Sequence, residues 1–267
     1  VKGCVVLKTR LIPVLLLKDG YLVRSESFRE YQVIGHPLHE VKRFNHWNVD
    51  ELIYLNISQT DEVYQRREDH GTKGLLDPMS TLDAVSKTCF MPLTWGGRLR
   101  SVEQMRECFA RGADKICFNS EAFRTPEMIT QAAKIFGNQA VVVCIDVRRQ
   151  ADGRLEAFID GGRTPTGKDP AAWAREVEAH GAGEILLQSI DRDGSGRGYD
   201  IELIRSVSEA TTIPVIALGG VGTWDHYAAA VRAGASAVAA ANLWHFKELA
   251  DRQGKRALAR AGIEVRL

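Results

Sequence analysis

No stretch of the chain approaches the ~18 consecutive apolar residues that cross a bilayer, and no N-terminal apolar segment precedes a small-residue cleavage site. The sequence therefore predicts neither membrane insertion nor export. Cysteine is scarce: the five (Cys4, Cys89, Cys108, Cys117 and Cys144) are an odd set with no CxxC pair, which argues for a reducing, cytoplasmic compartment. Neither sign of charge dominates, since 35 basic side chains face 34 acidic ones, so nucleic acid and acidic membranes are not expected partners and any anion site must be built locally. The seven histidines (His36, His39, His46, His70, His180, His226 and His245) show no tight spacing with cysteine or carboxylate, and no nicotinamide or flavin fingerprint is present. Neither a metal nor a cofactor is expected. Of these histidines His36 and His39 lie closest together, flanking Pro37 ahead of a helix, and read as surface or capping residues. Linkers and low-complexity tracts are missing too, so residues 1–267 are expected to form one domain.

What is present is an alternation. Short runs rich in β-branched residues occur at 11–17, 51–57, 91–94, 115–118, 141–146, 184–188, 214–217 and 237–240, eight in all. Segments with helical apolar spacing, 82–87, 102–110, 126–136, 171–180 and 201–210, fall between them. With 45% hydrophobic residues to build a core, the repeat of βα units predicts a (β/α)8 TIM barrel. A long doubly wound sheet shares that alternation, but an internal duplication favours closure. The run 91–97 (MPLTWGG) is echoed by 213–220 (IPVIALGG), and 112–115 followed by Asn119-Ser120 is echoed by 234–237 followed by Ala241-Asn242. The offset is roughly 120 residues, half a barrel, so equivalent loops are expected to face each other across the C-terminal mouth.

Glycine pairs after the third and seventh strands, Gly96-Gly97 and Gly219-Gly220, leave backbone N–H groups unobstructed, which suits phosphate. Asn119 and Ser120 in one half, and Ala241 and Asn242 in the other, complete each cradle with side-chain and helix N-terminal donors. Two opposed cradles imply a phosphorylated or nucleotide-linked small molecule with two anionic ends; the plainer alternative is glycine that only turns the chain. The loop 189–196 (SIDRDGSG) brings Asp193 and Gly194 to the same face, with helix capping as the ordinary alternative for its aspartates. Asp146 ends the apolar run 141–145. Partial burial there raises a carboxyl pKa and suits proton transfer, against the alternative of a solvated strand-end Asp paired with Arg148 or Arg149.

The motifs at 13–20, 50–52, 92–97, 112–115, 161–167, 183–194 and 265–267 come in an order that resembles the cyclase subunits of imidazole glycerol phosphate synthase (HisF-like), over nearly the whole chain. That resemblance implies a glutaminase (HisH-like) subunit docked on the N-terminal face, with ammonia passing through the barrel to the mouth. Arg10, Glu51, Lys115 and Glu184 match the family's gate of charges, for which a structural ion network is the alternative. Asp114 matches a glutaminase contact, Gln139 a residue near the passage, and Arg24 the lysine of a mobile first loop. At the mouth the family uses two aspartates as general acid and base. Asp146 matches one, but Leu16 stands where the other belongs. Leucine cannot exchange a proton, so much of the ~10²- to 10⁴-fold acid–base contribution is expected to be lost. Asn56 for Asp, Arg98 for a third glycine, Leu218 for Ser and Asn242 for Ser are further departures at the same end. The charged segment 61–74 reads as a solvated loop in preference to a remodelled lid.

A retained base under an altered mouth resembles the divergent branch of this family associated with amidation of bacterial surface sugars, those of O-antigen and lipopolysaccharide. In that branch the barrel supplies ammonia to a separate sugar amidotransferase, which is the leading expectation. Its competitors are a working cyclase (lyase) of histidine biosynthesis and a noncatalytic scaffold that activates the glutaminase.

Overall fold

The computed structural model describes residues 8–47, 49–58 and 77–266, so Cys4, His70 and the segment 61–74 lie outside the described residues. In chain order the strands are β1 (Arg10–Lys18), β2 (Tyr21–Glu26), β3 (Glu30–Gly35), β4 (Leu52–Asn56), β5 (Leu93–Gly96), β6 (Lys115–Phe118), β7 (Val141–Arg149), β8 (Leu155–Ile159), β9 (Thr164–Pro165), β10 (Glu184–Ser189), β11 (Val215–Leu218) and β12 (Ala237–Ala240). Strands β1, β4, β5, β6, β7, β10, β11 and β12 pair in parallel in that cyclic order. The pairings β12 with β1 and β7 with β10 close the cylinder. The fold is a (β/α)8 TIM barrel.

Around it lie α1 (Pro37–Trp47), α2 (Pro78–Ser86), α3 (Val102–Ala110), α4 (Ser120–Arg124), α5 (Glu127–Phe136), α6 (Pro170–Ala179), α7 (Ile201–Ala210), α8 (Asp225–Arg232), α9 (Asn242–Phe246) and α10 (Ala250–Arg260). Alternation along each strand explains both cores. Ile12, Val14, Ile53, Val142, Leu186 and Ile216 fill the cylinder, while Leu11, Leu15, Leu52, Tyr54 and Trp95 face the helices. Side-chain caps fix where several helices begin: Asp77 starts α2, Ser101 α3, Asp169 α6 and Asp200 α7. No helix of the described residues is long and apolar enough to cross a membrane.

The two half-barrels repeat in detail. An antiparallel hairpin, β2–β3, extends β1, and another, β8–β9, extends β7. Strand β6 leads into the short α4 and then α5; β12 leads into the short α9 and then α10. Even the residues opening those short helices agree, Asn119 at φ −121, ψ −76 and Ala241 at φ −98, ψ −75.

Two strands sit later in the chain than their apolar runs predict. The run 91–94 gives way to β5 at Leu93–Gly96, because Pro92 has no N–H for the ladder and contributes only its carbonyl, which accepts from Leu52 N at 2.9 Å. Likewise 214–217 begins with Pro214, and β11 spans Val215–Leu218. The helix expected at 82–87 starts earlier, at Pro78, where Asp77 caps it.

Candidate functional site

The floor of the barrel is a closed ring of four charges. Arg10 reaches Glu51 at 2.6 Å and Glu184 at 2.9 Å. Lys115 reaches the same two carboxylates at 3.0 Å each. Thr94 Oγ1 adds a 3.1 Å bond to Glu51. Burial pushes the Arg10 guanidinium down, but Glu184 and Glu51 outweigh it and hold Arg10 above its ordinary value. The ring sums to zero charge and sits beneath an apolar tube of Ile12, Val14, Ile53, Val142, Leu186 and Ile216. Such a path disfavours an ion, whose desolvation is expensive, far more than a small neutral molecule.

At the opposite end the mouth holds a cavity of about 230 Å³. Leu16, Leu55, Cys117, Cys144, Asp146 and Gln188 form its base, with Lys18, Arg98, Arg100, Arg124 and Arg163 at its rim. Asp146 is buried and accepts from Asn119 Nδ2 at 2.9 Å and from the Cys144 thiol at 3.1 Å. Burial raises its carboxyl to about 6, opposed by those two hydrogen bonds. It is thus poised to hold or release a proton near neutrality. Arg148 and Arg149 turn elsewhere, to Asp191 at 3.7 Å and to Glu202 at 2.9 Å. Leu16 lines the cavity with Asp146 and offers no second carboxylate.

A second cavity of about 60 Å³ is lined by Asp193, Gly194, Gly219, Gly220, Ala241 and Asn242, among others. The β2–β3 turn partitions the two: Ser25 lines the first, while its partners line the second. Ser25 Oγ donates to Asp193 Oδ2 at 2.6 Å, Ser27 N to the Asp193 carbonyl at 3.1 Å, and Asn242 Nδ2 to the Ser25 carbonyl at 2.8 Å. Burial raises Asp193 to about 6, against hydrogen bonds from Ser25 and the Phe28 amide. The cap of α7 is Asp200, so Asp193 holds the turn instead of a helix, and Asp191 accepts from Arg149 N at 2.7 Å.

The glycines are set by close approach. A Cβ on Gly97 (φ +88) would stand 2.0 Å from the Asn56 carbonyl oxygen, and one on Gly220 (φ +100) 2.2 Å from that of Gly198. The Gly97 amide itself donates to Cys117 O at 3.1 Å. Gly96 pairs with Cys117 in the ladder. Ser120 Oγ accepts from Asp160 N at 2.9 Å. Arg24 lines neither cavity; it lies 5.7 Å from the Phe246 ring. Asp114 and Gln139 are exposed at the base, where Asp114 Oδ2 accepts from Leu93 N at 2.8 Å. No group of three or more His, Cys, Asp or Glu among the described residues is arranged to hold a metal ion.

Ser25, Cys144 and Gln188 escaped the sequence reading. Cys144 was within reach, since it precedes Asp146 by two residues on β7 and alternation puts both on one face. For Ser25, 168 residues from Asp193, no local signal exists.

Residues 10–250 match the model of a family described as histidine biosynthesis protein. Over 263 residues, 97% of this chain and 96% of the relative, the sequence is 40% identical to the imidazole glycerol phosphate synthase subunit HisF of Gluconacetobacter diazotrophicus. The matched span contains the floor quartet and the residues lining both mouth cavities.

Proposed function

We propose, for a chain that belongs to the histidine biosynthesis protein family and is a HisF homologue, that the barrel receives ammonia at its floor and delivers it to an anionic acceptor at its mouth. In this reading Arg10, Glu51, Lys115 and Glu184 are the gate. A glutaminase (HisH-like) docks on the N-terminal face, touching Asp114 and lying close to Gln139. Gly96, Gly97, Asn119 and Ser120 form one anion cradle; Asp193, Gly194, Gly219, Gly220, Ala241 and Asn242 form the other. Arg24 is a loop cation and Asp146 the proton-transfer group. Residues 1–267 act as one cytoplasmic barrel domain, and the nitrogen goes, with a separate sugar amidotransferase, to a bacterial surface-polysaccharide sugar.

One observation carries the reading: an intact ring of charges at the floor lies under a mouth whose cavity is lined by Leu16 and Asp146 from strands on opposite sides of the cylinder. The floor suits a neutral nitrogen nucleophile, while cyclisation by an acid–base pair needs a second proton-handling group that leucine does not supply. A second reading, a working cyclase of histidine biosynthesis, draws support from the 40% identity to a HisF subunit and from the Asp146 carboxyl near 6.

Reconstitution with a HisH-type glutaminase from the same genome tests the proposal. Glutamine-driven nitrogen transfer should fall with Lys115→Ala and with Glu51→Ala while the partner still binds, and also with Asp146→Asn. Full output with Asp146→Asn, alongside loss in the floor variants, replaces the reading with a scaffold. Unchanged output in the floor variants removes the gate.

A further inference from the structure

Every second residue of β10 points into the cylinder, and the three that do so differ in kind: Glu184 closes the floor ring, Leu186 lines the apolar tube, and Gln188 reaches the mouth cavity. Gln188 is 5% exposed, yet among the described residues its side-chain amide has no hydrogen-bond partner and opens onto the cavity. A primary amide brings two donors and an acceptor, and a buried one is costly unless a bound group meets them.

Its neighbours narrow the choice of group. In the parallel pairing of β10 with β7, Gln188 stands opposite Asp146, and both face inward. The donors nearest Asp146 are spent: Asn119 Nδ2 bonds Asp146 Oδ2 at 2.9 Å and the Phe158 carbonyl at 3.1 Å, and the Cys144 thiol bonds Asp146 Oδ1 at 3.1 Å. A carboxylate accepts at about four lone-pair sites, so each oxygen keeps capacity. Asp146, ionised above about pH 6, thus offers acceptors next to an amide nitrogen that offers donors. A hydroxyl satisfies both with one atom, donating to the carboxylate while accepting from Gln188 Nε2. A carbonyl only accepts and would turn its lone pairs on Asp146, and an anion would meet the carboxylate charge. Ammonia matches the pair too, but a bond from Gln188 would occupy the lone pair it needs as a nucleophile. On the other side of the cylinder, Leu16 on β1 and Leu55 on β4 make the cavity base apolar. The base as a whole suits a hydroxyl carried on a ring with an apolar C–H face, as in a sugar or cyclic polyol.

We propose that Gln188 is a specificity-determining residue of the mouth, reading a ring hydroxyl of the acceptor held between its amide nitrogen and the Asp146 carboxylate. This rests on the reading that the mouth holds an acceptor, and is independent of whether ammonia reaches it.

Cyclopentanol and cyclopentanone share an apolar ring and differ in whether the oxygen can donate. Each is titrated into the full chain at pH 8 and followed by NMR at the Gln188 side-chain amide and the Asn119 and Asp146 backbone amides. In the wild type cyclopentanol should half-saturate at a concentration about fivefold or more below that of cyclopentanone, the scale of one net hydrogen bond. Gln188→Met, of similar length without the amide, and Gln188→Leu should each weaken cyclopentanol about fivefold or more. Equal affinities for alcohol and ketone in the wild type overturn the proposal, as does full cyclopentanol affinity in either variant. A wild type in which neither probe moves these signals overturns it as well. The wild-type comparison does not depend on either variant folding. Glutamine and a glutaminase are absent, so a negative result here leaves nitrogen transfer in the reconstituted system untouched.

Discussion

Ser25 and Asp193, 168 residues apart in the chain, meet in a buried hydrogen bond of 2.6 Å that ties the β2–β3 turn across the barrel mouth. The turn contains Ser27 and Phe28 at φ +53 and +58, so its shape is held by what it docks on. Ser25→Ala leaves the Asp193 carboxylate with the Phe28 amide at 3.4 Å as its remaining side-chain partner from that turn. The expected cost is about 1–3 kcal/mol. Hydrogen exchange across residues 21–35 should accelerate. Exchange at the wild-type rate shows that the Asn242 bond and the packing on Gly194 suffice.

Burial lifts Asp146 from 3.8 to about 6, so the native chain binds this proton more tightly than the unfolded chain does. Protonated Asp146 therefore favours folding below pH 4, and that contribution is lost as pH rises through 6. Above it the buried carboxylate costs on the order of 3 kcal/mol. Asp146→Asn should be stabilising relative to wild type at pH 7–8, with the gain vanishing towards pH 4. Urea midpoints across that range check it, and a gain that grows in acid refutes the assignment.

At the floor, Glu51 is 3% exposed in its side chain and Lys115 18%. Lys115→Ala leaves Glu51 and Glu184 sharing Arg10, at a cost of roughly 3 kcal/mol, the low end for a broken buried pair because the ammonium is partly wet. Adding Glu184→Gln removes the surplus negative charge and should restore part of the loss. A denaturant double-mutant cycle measures this coupling, and strict additivity of the two changes contradicts a shared ring.

Close approach makes a sharp contrast between two glycines. Gly97→Ala places a Cβ 2.0 Å from the Asn56 carbonyl oxygen at φ +88, whereas Gly35→Ala meets nothing within 4 Å. The first should cost about 4 kcal/mol or prevent folding, and the second should stay within about 0.5 kcal/mol. Thermal midpoints of the two variants decide it.

How much of this was legible in the sequence depends on whether a signal is local. Strand β1 reads as 11–17 and spans Arg10–Lys18, because a strand buried on both faces is a continuous apolar run. Its hairpin did not read: β3 is Glu-Tyr-Gln-Val-Ile-Gly, exposed over most of its length, with no apolar alternation to mark it. Helix α1 was expected only after Pro37 and His39, yet it begins at Pro37 and takes in His39, burying only Pro37, Val41 and Phe44 of a polar stretch. Asp146 stood out as the end of an apolar run, yet its partner Asn119 is 27 residues away, a separation bridged by the parallel pairing of β6 with β7. The four floor charges carried no pattern of their own and were visible solely through resemblance to a family.

The central claim is a floor built for ammonia beneath a mouth that has lost one of two proton-handling groups. Turnover of the ribulosyl formimino carboxamide nucleotide with ammonium salt, for wild type and Leu16→Asp side by side, tests it most directly. The wild type should stay far below ~1 s⁻¹, and Leu16→Asp should raise its rate by ~10²-fold or more. Wild-type turnover at ~1–10³ s⁻¹, the range ordinary for enzymes, contradicts the account.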